Sequence, residues 1–295
     1  MAYRQSFLNG CKACRIPTTE LHPERALALE PALNPGIKTA VQVPDATMDA
    51  WRLPMHFFAT ARSNGAEIHP FSEITAIHRN GSMVTGVGVF DLKTHRHYDF
   101  QGDLIINAAG PWAGKIAALA GVDVPVQPGP GVMVAVSARV THMVINRLHP
   151  AGEGDIIVPQ RRLSVLGTSL WLEEDPDTIA VPAGHVQKII DLCTEMVPVV
   201  KQPPVHSTWH AARPLIVDTT AVNPQAISRT FGCYDHLQRD KLEGMVSVIG
   251  GKATTLRAMA EKTADLVCRK TGRGIPCRTR ETRLLHYRHF YKRSN

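Results

Sequence analysis

The sequence predicts a mixed α/β fold in which a three-layer unit with buried strands is interleaved with a domain built on a large antiparallel sheet. Three observations carry this. Alternating strands around Asn80-Gly81 read as a three-stranded meander over residues 72 to 100, short continuous apolar runs begin at Asp103 and Met245, and a strand-rich stretch from Pro125 to Val217 lies between those runs. The chain has 295 residues, 44% of them hydrophobic, enough to bury one large core or two smaller ones. That excludes a wholly disordered chain. No run approaches the roughly 18 uncharged apolar residues of a membrane span, and the start from Met1 to Cys14 lacks the apolar segment of a secretory signal.

Each element has a local reason. A helix is expected over residues 3 to 14, then a polar stretch through Glu30, Pro31 and Asn34-Pro35-Gly36, then a short strand from Ala40 to Val43. Asp49 can cap a helix from Trp51 to Ser63, with Pro54 tolerated in its first turn and Asn64-Gly65 as its stop. Strands follow at Ile74 to His78, Met83 to Phe90 and His95 to Phe100, the first two joined by the Asn80-Gly81 turn. Asp103 to Asn107 suits a strand buried on both faces, ending in Ala108-Ala109-Gly110 before a helix opened by Pro111. A helix near His185 to Met196 is set into the strand-rich stretch. Met245 to Ile249 is a second buried strand, followed by Gly250-Gly251-Lys252 and a helix from Thr255 to Lys270 with Leu256, Met259, Ala260, Leu266 and Val267 on one face.

The net charge is +7, yet Arg278, Arg280, Arg283, Arg288, Lys292 and Arg293 against Glu281 place five of those charges in the last eighteen residues. The body is near neutral. The basic end is therefore expected to be a solvated, frayed tail, and no nucleic-acid partner is predicted. Six cysteines stand at 11, 14, 193, 233, 268 and 277. Reduced thiols of a cytosolic protein are expected, with Cys11 and Cys14 as small residues on one helix and no metal site.

Four GxG triplets begin at Gly86, Gly129, Gly152 and Gly272, but Asp91, Val134, Ile157 and Cys277 occupy the positions where the dinucleotide fingerprint needs its third glycine. No pyrophosphate cradle is legible. The most informative segment is Ser247 to Arg257: two glycines after a buried strand let the backbone approach a flat ligand, and the following helix start favours negative charge. An ordinary strand-to-helix turn capped by Thr254 or Thr255 is the plain alternative. Arg213 and Arg229 each sit beside a strand end, where two guanidinium groups suit a phosphate, and His210 and Lys252 are candidate proton acceptors.

Taken in order, Val43-Pro44-Asp45 with Asp49, Ile106 to Trp112, Leu166-Gly167-Thr168-Ser169, Arg213-Pro214-Leu215, Ser228-Arg229 and Gly250-Gly251-Lys252 resemble one family. It is the FAD-dependent glycerol-3-phosphate dehydrogenases, specifically the anaerobic-type catalytic A subunits, within the D-amino-acid-oxidase-like flavoproteins. The resemblance runs from about residue 5 to residue 277. It implies a partial FAD/NAD(P)-binding Rossmann-like domain lacking its first βαβ unit, in segments 49–127 and 213–275, and a substrate (cap) domain in segments 1–48 and 128–212, with 276–295 as a basic tail. It further implies that Asn107, Ala108, Ala109, Gly110, Trp112, Gly250, Gly251, Lys252, Thr254 and Thr255 touch FAD, with Ile74 and Ala76 near the adenine. Arg213, Arg229 and Lys252 would bind substrate, and Lys252 or His210 would be catalytic.

The implied reaction is hydride transfer from C2 of sn-glycerol 3-phosphate to FAD, giving dihydroxyacetone phosphate, with electrons passed to quinone through partner subunits of a membrane-associated complex. A cytoplasmic protein, or one peripheral on the inner face of the cell membrane, follows. The family's Ser-Gly-Val before Arg-Pro-Leu is replaced by His210-Ala211-Ala212, and the chain reads as a middle piece lacking the GxGxxG segment and the cysteine-rich iron–sulfur region. The isolated chain is accordingly expected to be colourless. Two alternatives stand beside this: a related FAD-dependent amino-acid or hydroxy-acid oxidase, and a non-enzymatic remnant or one chain of a split enzyme completed by a missing N-terminal segment.

Overall fold

A computed structural model describes residues 2–150, 152–217, 227 and 230–291. In chain order the elements are α1 (Ala2–Ala13), β1 (Thr19–Leu21), α2 (Pro23–Leu29), β2 (Ala40–Gln42), α3 (Arg52–Ser63), β3 (Ser72–Asn80), β4 (Met83–Asp91), β5 (Arg96–Gln101), β6 (Ile105–Asn107), α4 (Ala113–Leu119), β7 (Val126–Val136), β8 (Ile145–Asn146), β9 (Ile156–Gln160), β10 (Leu163–Gly167), α5 (His185–Met196), β11 (Val205–Ile216), β12 (Phe231–Asp235), α6 (His236–Asp240), β13 (Met245–Gly250) and α7 (Leu256–Lys270). The mixed α/β class read from the sequence is the class observed.

The chain divides into two compact units. One takes in residues up to Thr47 and Gly129–Ala212; the other takes in Met48–Pro128 and the described residues from Arg213 onward. In the first, a five-stranded sheet runs in the order β11-β7-β10-β9-β8, with β10 antiparallel to both β7 and β9. Val134, Val136, Ile157 and Leu166 of that sheet pack with Ile189, Cys193, Val197 and Val200 to form its core. Burial pushes the Cys193 thiol up to about 12, so it is a small apolar filler there.

In the second unit the sheet order is β12-β13-β6, and the meander β3-β4-β5 is a separate sheet. Ile77 and Val84 of the meander, Ala113, Ala117 and Ala120 of the α4 region, and Met245 and Ile249 of β13 share one core. The run of small alanines lets α4 lie close to both sheets. Asp49 starts α3 as expected, its carboxylate accepting from the Trp51 and Arg52 N–H groups at 3.2 and 3.1 Å.

Three expectations need correction. The polar stretch after α1 contains β1 and α2, because Pro23 is tolerated at the first helical position and Ala26 buries against the unit. The strand expected over residues 103 to 107, buried on both faces, is only Ile105–Asn107, and Ile106 is 46% exposed. Among the described residues β13 alone pairs with it, so it is an edge strand.

The third concerns the basic end, which is not wholly a frayed tail. Residues 285–291 fold back on α3: the His56 ring Nδ1 donates to the Leu285 carbonyl at 2.8 Å, the Leu285 N–H to Thr60 Oγ1 at 2.9 Å, and Arg62 to the Phe290 carbonyl at 2.7 Å. Arg52 lies over the Tyr287 ring and Phe58 beside Phe290. Aromatic contacts and backbone hydrogen bonds outweigh the charge that suggested solvation.

Candidate functional site

Two of the segments singled out in the sequence meet at one end of a sheet. β6 and β13 run parallel with Asn107 opposite Ser247, so the turn Ala108 to Gly110 and the turn Gly250 to Thr255 leave the same carboxyl end side by side. In open α/β sheets that end is where ligands bind.

The second turn is built by close packing. Gly250 and Gly251 both hold φ of +78°, a conformation that other residues adopt only with strain. A Cβ on Gly250 would collide with the Thr230 carbonyl, and one on Gly251 with the Met259 thioether. The glycines are thus demanded by the chain's own packing, in addition to any close approach by a ligand. After them Lys252 is extended, and the Thr255 hydroxyl closes the turn, accepting from the Lys252 N–H at 3.0 Å and donating to its carbonyl at 2.9 Å.

Lys252, Ala253 and Thr254 are exposed there. The Thr255 and Leu256 N–H groups already reach the Lys252 and Ala253 carbonyls, so the start presents the backbone of Ala253 and Thr254, to which the partial positive end of the fifteen-residue α7 adds. One turn further, Arg257 donates to Glu261 at 2.7 Å and holds its carboxyl below the usual range. The arrangement can accept a planar group at the strand ends and stabilise negative charge on it.

The first turn is shaped by Asn107, which is buried. Its Nδ2 donates to the Ala113 carbonyl at 2.9 Å and to Ser247 Oγ at 3.2 Å, while its Oδ1 accepts from the Ala109 N–H at 3.3 Å. Every hydrogen-bonding position of that amide but one lone pair is taken by protein. Ala108 is exposed, Gly110 has φ of +59°, and Trp112 is 42% exposed at the end of the following 3₁₀ turn.

The remaining expected residues fall elsewhere. Ile74 and Ala76 are half-buried on β3, in the meander and not in the sheet of β6 and β13. Arg213 is half-buried on β11 within the second unit, whereas His210, exposed on the same strand, belongs to the first. Ser228 and Arg229 lie outside the described residues. Sequence reasoning passed over His236, which is wholly buried and contacts Ser247. The available signal was Ser247 itself, a polar residue inside an apolar strand.

Comparison with known proteins agrees with this architecture. The family model described as FAD dependent oxidoreductase matches residues 2–266. The chain is 38% identical over 288 residues to the A1 subunit of the anaerobic glycerol-3-phosphate dehydrogenase of Haloferax volcanii, covering 94% of this chain and 49% of that protein. It is 32% identical over 286 residues to the A subunit of the anaerobic glycerol-3-phosphate dehydrogenase of Escherichia coli K12, covering 96% of this chain and 53% of that one. The chain therefore spans about half the length of the curated relatives it matches. Among solved structures, the Bacillus halodurans glycerol-3-phosphate dehydrogenase complexed with FAD superposes with a TM-score of 0.72 at 22% identity, over 90% of this chain and 55% of that one. A Bacillus cereus glycine oxidase reaches 0.68 at 20% identity, over 90% and 68%. At those identities the likeness shows the fold.

Proposed function

The chain belongs to the FAD-dependent oxidoreductase family, and from that premise we propose that it takes part in oxidising sn-glycerol 3-phosphate to dihydroxyacetone phosphate, with FAD as cofactor. The observation that carries the reading is the parallel pairing of Ser247 with Asn107, which opens both candidate turns at one sheet end. The residues present fit the ring end of FAD: an exposed helix start at Lys252 to Thr254 can face the charge that gathers on a reduced ring, and the Ala108 to Gly110 turn lies beside it. Bound FAD supplies the acceptor for the hydride from C2 of the substrate.

The chain's own residues do the rest. Arg213 and Arg229 bind the phosphate as charged hydrogen-bond donors, and Lys252 or His210 takes the proton of the C2 hydroxyl. Ile74 and Ala76 line the adenine end. The two compact units serve as the cofactor-binding and substrate domains. The sequence contains no GxGxxG, so the two phosphate charges of FAD are met by another stretch of polypeptide, contiguous or separate, and electrons leave to quinone through partner subunits of a complex peripheral to the inner face of the membrane.

The test is a substrate-binding one in the competent assembly. Arg213→Ala and Arg229→Ala should each raise KM for glycerol 3-phosphate and lower kcat/KM by about 2–4 kcal/mol, roughly 30- to 1,000-fold. An unchanged KM in both variants would refute the phosphate role. The visible spectrum of the chain alone separates the cofactor question: the missing pyrophosphate cradle predicts no stoichiometric flavin after gel filtration, and retained yellow protein would show that this chain holds FAD unaided.

A further inference from the structure

Behind the first turn lies a buried polar chain that neither the fold nor the proposed reaction has used. His236, wholly buried at the start of α6, places Nδ1 2.5 Å from Asp240 Oδ2 and Nε2 2.8 Å from Ser247 Oγ, and Ser247 in turn receives Asn107 Nδ2 at 3.2 Å. A carboxylate only accepts, so the ring proton sits on Nδ1. With that proton on Nδ1, Nε2 takes the Ser247 hydroxyl as its donor, which leaves a Ser247 lone pair for the Asn107 amide N–H. The donors run in one direction from Asn107 to Asp240.

That direction matters at Asn107. The reversed amide would set its oxygen against the Ala113 carbonyl and its NH₂ against the Ala109 N–H, two repulsive contacts in a buried site. With Ser247 fixed as the acceptor, only the observed orientation satisfies all three neighbours. The Ala109 N–H is thereby tied back, and the backbone from Ala108 to Gly110 is held in the shape it presents at the strand ends. The four linked side chains come from α6, β13 and β6, so they also lock the helix to both strands.

We infer that His236 is a positioning residue for the turn 107–110, acting through Ser247 and the Asn107 amide. In the setting of the proposed function, on which this part of the inference rests, His236 sets the contact made to the flavin ring without touching it. The Ser-His-Asp order resembles a hydrolytic triad, but Ser247 is wholly buried and its hydroxyl is committed on both sides, so positioning is the role left to it.

The experiment is hydrogen exchange of the full chain, read by mass spectrometry at residues 108–113, in His236→Gln, His236→Asn and Ser247→Ala. Gln reaches Ser247 but not Asp240; Asn reaches Asp240 but not Ser247. Positioning predicts exchange at 108–113 at least tenfold faster in H236N and S247A and within about threefold of wild type in H236Q, although both His236 variants lose one ring bond. Equal acceleration in H236Q and H236N, or none in S247A, overturns the inference. S247A keeps the His236–Asp240 contact within α6 and keeps the test open if H236N does not fold. Adding FAD to the wild-type chain in its competent assembly separates the two readings: if it protects neither 108–113 nor 250–255 there while the variant pattern holds, the cofactor assignment fails and the positioning network stands.

Discussion

Gly250→Ala should destabilise the protein markedly more than Gly251→Ala, although the two glycines are adjacent and share the same φ. At +78° a side chain costs about 1–2 kcal/mol at either position. The neighbours then decide the difference. At Gly250 the new Cβ meets the Thr230 carbonyl oxygen, which is held by accepting the Gly251 N–H at 2.9 Å, and Ile216 at 3.1 Å. Relief requires moving backbone, an overpacking cost of about 1–3 kcal/mol, for a total of about 2–5 kcal/mol. At Gly251 the obstacle is the Met259 thioether, a flexible chain that can swing aside, so the total stays near 1–2 kcal/mol. For a chain of this size, with roughly 2 °C lost per kcal/mol, thermal unfolding followed by circular dichroism should show Tm falling by about 4–10 °C in G250A and about 2–4 °C in G251A. A G251A loss equal to or larger than that of G250A would refute the packing argument. Normal stability in both variants with loss of flavin contact would assign the glycines to ligand approach alone.

Three further outcomes follow from other parts of the molecule. The segment 285–291 should dock less firmly on α3 as pH falls below about 6.5, since loss of surrounding water, then His56, Arg288, His289 and Arg52, holds the His286 pKa below its ordinary 6.5; a lowered histidine stabilises the docked state above that value and the stabilisation is lost on protonation. Exchange at 285–291, corrected for intrinsic rate, should rise between pH 7.5 and 5.5 and flatten in His286→Gln; protection independent of pH would exclude this. Glu30→Ala should cost about 2–4 kcal/mol in denaturant unfolding, because buried Oε2 accepts the His142 and Met143 N–H groups at 2.6 and 3.0 Å, and a loss below about 1 kcal/mol would contradict it. Iodoacetamide at pH 8 should label exposed Cys14 and spare Cys193, whose thiol burial pushes up to about 12; comparable labelling of both by mass spectrometry would show the interior is open.

What was legible in the sequence were features set by neighbours along the chain. The Asn80-Gly81 hairpin, the Asp49 cap, the helix near His185 to Met196 and the run Met245 to Ile249 all depend on side chains within a few residues, and each is found where its local pattern put it. The α2 helix was hidden because Pro31 and Asn34-Pro35-Gly36 mark a loop just beyond it, while its own Pro23 stands at a helix start. The docked end was hidden by its charge. Six basic residues in eighteen suggest solvation, but Arg52 and Arg62, two hundred or more residues away, stack on its aromatic rings and do not repel them. Nothing in the local sequence records that pairing.

The candidate site divides along the same line. That two short strands end in small-residue turns was readable, and so was the helix start after Gly250-Gly251. Which turn lies beside which required the parallel register of β6 and β13, a contact across 140 residues. The same register changes the meaning of Asn107. From the sequence it was a residue to touch a cofactor; in the fold both of its N–H groups are spent on Ala113 and Ser247, and what it sets is the shape of the backbone behind which it sits. A buried polar residue in an apolar strand must be paired, so Ser247 could have announced that some partner existed. It could not announce His236, because the partner is reached only when α6 folds over the strands. Substitutions at His236, Ser247 or Asn107 should therefore alter cofactor contact through geometry, whereas substitutions at Arg213 should alter substrate affinity through charge, and a KM change without a flavin spectral change distinguishes the second from the first.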